Sequence, residues 1–171
     1  MSDVTGRAAP SRAESGDPGG IANFRRFDAR LTTSGQPSAA QLGEIAALGV
    51  GHVINLALHT HEQALVDEAA SVAALGMTYT HIPVAFDAPT DADFAQFCDA
   101  MAATGGAPVH VHCIVNARVT AFVLRWARDC DDVPAAQAMM DSVWRPGGVW
   151  AAFLGDDAGV GRASEYAGRD Y

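Results

Sequence analysis

In the run His112-Cys113-Ile114-Val115-Asn116-Ala117-Arg118, a cysteine ends an apolar strand pattern, and after four intervening residues an arginine opens a helical one. A turn that short directs several backbone N–H groups inward at a helix N-terminus, where partial positive charge favours both a thiolate and a bound oxyanion. Cys113 placed there is expected to be acidic and nucleophilic. Arg118 offers a planar fork of donors that can hold two oxygens of a phosphoryl group while that group changes geometry. Thr120, one turn into the helix, is placed to hydrogen-bond the sulfur. Ile114, Val115, Asn116 and Ala117 would line the anion site with their backbone.

The elements around this run must form a scaffold that delivers it. Phe24 to Thr33 reads as a strand or hairpin that turns at Ser34-Gly35-Gln36-Pro37, after which Ser38 and Gln41 make a capping box for a helix through Leu48. His52 to Leu58 is a strand pattern. Glu62 to Leu75 places Leu65, Ala69, Val72 and Ala73 on one helical face, Gly76 stops it, and Met77 to Val84 returns as a strand ending at Phe86-Asp87-Ala88-Pro89. Thr90 and Asp93 cap a helix with Phe94, Phe97, Cys98 and Met101 on its inner face. Pro108 to Cys113 is the last strand, followed by helical patterns around Val119 to Trp126, Pro134 to Trp144 and Val149 to Leu154. Trp126, Trp144, Trp150, Met139, Met140, Cys98 and Cys130 fit apolar helical spacings and are expected in the core.

Strands alternating with helices imply right-handed crossovers, hence an α/β single domain: a mostly parallel central sheet with helices on both faces. All strand carboxyl ends then lie on one rim, where such sheets bind ligands. That rim gathers Gln36, His59 with His61, Asp87, and the segment from Cys113 to Arg118. Gln36 and His59 are placed at the pocket edge.

Composition sets the bounds. The chain has 171 residues, 49% of them apolar and 18% charged, which suits one soluble domain of this size. Its net charge is -9 and all 11 basic residues are Arg, so the basic surface that nucleic acid needs is missing. Neither a membrane span nor the apolar core of a signal peptide is present, and three cysteines form no disulfide framework, which points to the cytoplasm. Residues 1–22 and 155–171 read as flexible tails around a working domain at 23–154.

The run from His112 to Arg118 resembles the phosphate loop of the Cys-dependent protein tyrosine and dual-specificity phosphatases. It looks closest to a bacterial branch, sometimes fused to β-lactamase-like hydrolase domains, in which four residues instead of five separate Cys from Arg. Ser34-Gly35-Gln36-Pro37, Val53-Ile54-Asn55-Leu56, His81-Ile82-Pro83-Val84, Ala88-Pro89-Thr90 and Trp144 to Trp150 extend the resemblance over 23–154. It implies Cys113 as nucleophile, Arg118 as phosphate clamp and His112 as a brace for the loop. The family's general acid falls on Asp87, 26 residues before Cys113, with Asp91 as the alternative. The implied reaction is hydrolysis of a phosphorylated protein or small phosphomonoester through a phosphocysteine, with no cofactor or metal and with phosphate or sulfate binding in the loop.

Three other readings stay open on residues alone. A rhodanese-like sulfurtransferase would carry a persulfide on Cys113 in a loop of this length. The pairs His59-Thr60-His61 and His110-Val111-His112 could serve a hydrolytic metal. The β-branched Ile114 and Val115, which restrict the backbone where it must curl, would suit a phosphate-binding module with weak catalysis.

Overall fold

The computed structural model describes residues 16–169 and Tyr171. The expected N-terminal tail therefore lies outside the described residues as far as residue 15. Its last part is not a tail: Ile21 is buried, Asp17 pairs with Arg26, and the Ala22 carbonyl accepts the Gly35 amide at 2.7 Å.

Among the described residues five strands, β1 (Arg25–Arg26), β2 (Leu31–Ser34), β3 (His52–Asn55), β4 (Thr78–His81) and β5 (Val109–His112), form one sheet in the order β1-β2-β5-β3-β4. Four run parallel, and β1 is a short antiparallel addition made by the hairpin into β2. The register sets Ser34 and Asn55 on either side of His112, so the strand that delivers Cys113 is central. Six α-helices of the described residues surround the sheet: α1 (Ala39–Ala47), α2 (Glu68–Ala74), α3 (Asp91–Ala103), α4 (Ala117–Ala127), α5 (Val133–Asp141) and α6 (Gly148–Leu154). The capping boxes at Ser38 with Gln41 and at Thr90 with Asp93 both form and set the starts of α1 and α3.

Strand periodicity sorts the side chains into two cores. Ile54, Val109, Val111 and Cys113 join the larger one with residues of α3 to α6, whereas Val53 joins Leu42, Ile45 and Val72 under α1 and α2. His110 and His112, alternating with the valines of β5, accordingly face the α1–α2 side. That alternation puts Cys113 and His112 on opposite faces of one strand.

Two expectations change. The helix expected from Glu62 begins at Glu68, because the Asp67 side chain caps it by accepting the Ala70 amide, and residues 60–67 form turns. The segment after residue 154 packs onto the domain. Arg162 donates to the Pro146 carbonyl, Ser164 accepts the Gly147 amide, and Tyr166 lies 6.3 Å from Trp144 between ring centroids. Tyr171 sits 5.9 Å from Phe86. Aromatic burial and hydrogen bonds to the Trp144–Gly147 turn thus offset the ordering entropy of a segment that looks polar in sequence. Cys130, expected in the core, is exposed. No helix of the described residues is long and apolar enough to cross a membrane.

Candidate active site

Cys113 is fully buried immediately after β5, at the start of a loop whose carbonyls are tied to the scaffold. The Cys113 carbonyl accepts from His112 Nδ1 at 3.1 Å, the Ile114 carbonyl from the Gln36 amide at 3.0 Å, and the Val115 carbonyl from Asn23 Nδ2 at 3.0 Å. In a trans peptide the N–H points opposite the C=O, so these bonds turn the amides of Ile114 and Val115 away from the scaffold. Asn116 takes the left-handed conformation that ends the turn, with φ +69°, and its side chain donates to the Asn23 carbonyl and to Thr33 Oγ1. Ala117 is the first residue of α4, whose opening amides have no intrahelical acceptors. The Ile114 side chain packs into the larger core, so its β-branch does not crowd the inner face of the loop that its backbone is expected to line.

Arg118 is also fully buried. Its Nη1 donates to the Val84 carbonyl at 2.8 Å, while Nε and Nη2 are buried with no hydrogen-bond partner. A guanidinium sequestered without a carboxylate is costly, and its two unmatched donors, on a residue five positions after Cys113, are of the kind a fork-binding anion accepts. Phe86 lies 5.7 Å from the guanidinium carbon, and Trp144, Trp150 and Tyr171 pack around that ring.

Asp87 is exposed on the turn that follows Phe86. The turn is held at both sides of its start: Arg118 binds the Val84 carbonyl, and Trp150 Nε1 donates to the Phe86 carbonyl at 2.7 Å. Asp91 is engaged elsewhere, paired with Arg125 at 2.9 Å. Thr120 does not reach for sulfur. Its hydroxyl donates to the Ala117 carbonyl at 3.0 Å and accepts from Trp144 Nε1 at 3.1 Å, because a helical Thr can bond its own preceding turn.

Gln36 holds the loop by its backbone, and its side-chain amide donates toward Glu68 at 3.4 Å. His59 is exposed, stacked on His81 with centroids 3.6 Å apart and bonded to the Tyr79 hydroxyl. The two His-x-His pairs do not converge. His110 lies between Thr32 and Ser34, His112 binds Glu68, and His61 lies against Tyr171. Among the described residues no group of three His, Cys, Asp or Glu side chains could hold a metal.

With this geometry in hand, the sequence matches the family model described as "Beta-lactamase hydrolase-like protein, phosphatase-like domain" over residues 23–129. The chain belongs to this family. A beta-lactamase hydrolase-like protein of Agrobacterium fabrum is 35% identical over 108 residues, which is 61% of this chain and 25% of that protein. The chain thus spans about a quarter of the length of that curated relative. A DUF442 protein of Shewanella putrefaciens CN-32, named as a phosphatase, has 32% identity and a TM-score of 0.73, covering 80% of this chain and 91% of that one. P. aeruginosa TpbA in complex with pTyr shares the fold at 21% identity and a TM-score of 0.56, over 69% and 71% of the two chains. The fold is that of the protein tyrosine phosphatase-like phosphatases.

Within this family fold, Glu68 is the site residue that sequence reading missed. It opens α2, is buried, and binds His112 Nε2 through Oε1. Its Oε2 accepts from Asn55 Nδ2 at 3.1 Å and from Gln36 Nε2 at 3.4 Å. Burial pushes its carboxyl up, but the bonds and charge of His112, with help from Gln36 and His59, leave it below its ordinary value. Tyr79 nearby is pushed up to about 12 by burial and by the Glu68 charge. A polar residue at the first position of a helix carried no signal beyond a favourable helix start. Gly35 is the second such residue: a Cβ there would collide with the Ile114 carbonyl and press on Ala22, so the loop needs glycine at that contact.

Proposed function

We propose that this domain is a cysteine-dependent phosphatase that hydrolyses a phosphomonoester through a phosphocysteine. The observation that carries the reading is the buried Arg118 guanidinium, with two unmatched nitrogens, in the first turn of the helix that the Cys113 loop opens into. A phosphoryl group seated there accepts the fork of Arg118 and the loop amides, which oppose the charge that builds on its equatorial oxygens.

In the first step the Cys113 thiolate attacks phosphorus in line. An S–P bond forms, the P–O bond to the leaving group breaks, and Asp87 delivers its proton to the departing oxygen. In the second step water attacks phosphorus, Asp87 takes a proton from it, and the S–P bond breaks to release phosphate and the thiolate. Asp87 suits the role better than Asp91 because its carboxyl is free of partners on a pinned turn, whereas Asp91 is bound to Arg125. The substrate is a phosphorylated protein or a small phosphomonoester, and inorganic phosphate or sulfate occupies the loop in its absence. The reaction needs no cofactor or metal.

The deciding experiment is hydrolysis of p-nitrophenyl phosphate by wild type, Cys113→Ser and Arg118→Met, with and without vanadate and with excess chelator. Turnover that vanadate blocks, that chelator leaves intact and that both substitutions abolish supports the reading. Thiosulfate-to-cyanide sulfur transfer without phosphate release would replace it.

A further inference from the structure

The loop carrying Cys113 is backed, on the opposite face of β5, by a buried ion pair that the phosphatase reading does not use. We propose that Glu68 is a positioning residue for Cys113: its carboxylate holds a proton on each nitrogen of His112, and the resulting imidazolium grips the Cys113 carbonyl and favours the thiolate. This inference rests on Cys113 acting as the nucleophile.

Hydrogen-bond roles fix the proton positions. The Cys113 carbonyl can only accept, so His112 Nδ1 must carry hydrogen at that 3.1 Å contact. Oε2 of Glu68 accepts from two amide donors, Asn55 and Gln36, and the bonds and charge around the carboxyl hold it below its ordinary value, which favours the ionised, acceptor-only form. His112 Nε2 facing Oε1 is then also a donor. Both ring nitrogens bear hydrogen, and the ring is positive. Its positive end lies one residue from the thiol, while the compensating carboxylate lies on the far side of the ring.

Neighbouring charges do not supply this effect. Facing the pair are His110 on the same strand, His81 and Tyr79 from β4, and His59 from the loop after β3. Burial lowers both His110 and His81 and favours their neutral forms. On the other side of the strand, Cys113 lies near Tyr166 of the C-terminal segment. Glu68 is therefore the carboxylate that keeps His112 charged. It also joins the ends of three strands, through Gln36 after β2, Asn55 of β3 and His112 of β5, so it fixes position as well as charge.

The test reads the thiol directly. The ultraviolet thiolate absorbance of Cys113 is titrated as the difference between each protein and its Cys113→Ser counterpart, for wild type, Glu68→Gln, His112→Asn and the double variant. Glu68→Gln is expected to raise the Cys113 titration by about one unit, a tenfold loss of thiolate at pH values below it. The acid limb of kcat/KM should move by the same amount, with KM changed far less. In the His112→Asn background, Glu68→Gln should add no further shift, since its effect passes through the ring.

Nitrogen NMR of the wild-type imidazoles reads the pair without any substitution that could impair folding, and is expected to show His112 doubly protonated at neutral pH. A neutral His112 in wild type would overturn the proposal, as would a folded Glu68→Gln whose thiol titrates like wild type. A shifted thiol in a protein that releases no phosphate would leave this inference standing and remove the phosphatase reading instead.

Discussion

One hydrogen bond joins Arg118 to Val84: Nη1 donates to the Val84 carbonyl at 2.8 Å, across 34 residues of sequence. It couples the first turn of α4 to the segment that leads into Asp87. The proposed anion clamp and the proposed acid are thereby held by one another, and Trp150 reinforces the arrangement from α6 through the Phe86 carbonyl.

Because Arg118 is buried with two unmatched nitrogens, its retention costs stability in the absence of an anion. Arg118→Met, of similar length and apolar, is expected to abolish hydrolysis while melting at or above the wild-type temperature. Sulfate at about 100 times its Kd should stabilise wild type by about 2.7 kcal/mol and leave Arg118→Met unmoved. Thermal melts with and without sulfate check both statements. Arg118→Lys keeps the charge but loses the fork, and kcat/KM should fall by about 100-fold or more.

Asp87→Asn removes the proton that the leaving oxygen takes. The expected loss in kcat is about 100- to 10,000-fold on an alkyl phosphate, whose leaving group needs protonation, and much smaller on p-nitrophenyl phosphate. The basic limb of the pH profile should vanish with the acid. Rates for both substrates across pH decide this, and an unchanged basic limb would remove Asp87 from the role.

The two capping boxes, the strand–helix alternation and the Cys113–Arg118 turn were legible because each rests on local chemistry: a hydroxyl accepting an amide three residues on, a period of apolar residues, or a cysteine abutting a helix start. What was not legible depends on contacts distant in sequence. Glu68 meets His112 across 44 residues, and nothing in the sequence near Glu68 points to a histidine. Thr120 spends its hydroxyl on Ala117 and Trp144, a choice that required knowing where Trp144 packs. The C-terminal segment looked too polar to order, yet Arg162, Ser164, Tyr166 and Tyr171 each find a specific partner.

Gly35 stands where the chain before α1 touches the loop that follows β5. A methyl group there meets the Ile114 carbonyl and the Ala22 backbone, neither of which can rotate aside. Gly35→Ala is expected to destabilise by about 1–3 kcal/mol, as overpacking does. It should also lower kcat/KM, since the Gln36 amide that holds the Ile114 carbonyl would be displaced. Urea denaturation and p-nitrophenyl phosphate kinetics measure the two effects separately.

His110 makes stability depend on pH in a predictable direction. Fully buried, it is bonded at Nδ1 to Thr32 Oγ1 and at Nε2 to Ser34 Oγ, each at 2.8 Å. Ser34 already donates to the Gly35 carbonyl, so it accepts from Nε2, and Thr32 donates to Nδ1 of a neutral ring. Burial, aided by the charge of His112, holds the His110 pKa well below its ordinary value. The unfolded chain therefore binds a proton that the folded chain refuses. The contribution of His110 is fully present above the unfolded value of about 6.5 and is lost as pH falls below it, at up to about 1.4 kcal/mol per unit. His110→Gln, which keeps a donor and an acceptor, should flatten the fall in urea midpoint on that acid side by about one proton. A fall as steep as in wild type would show that the ring protonates in place.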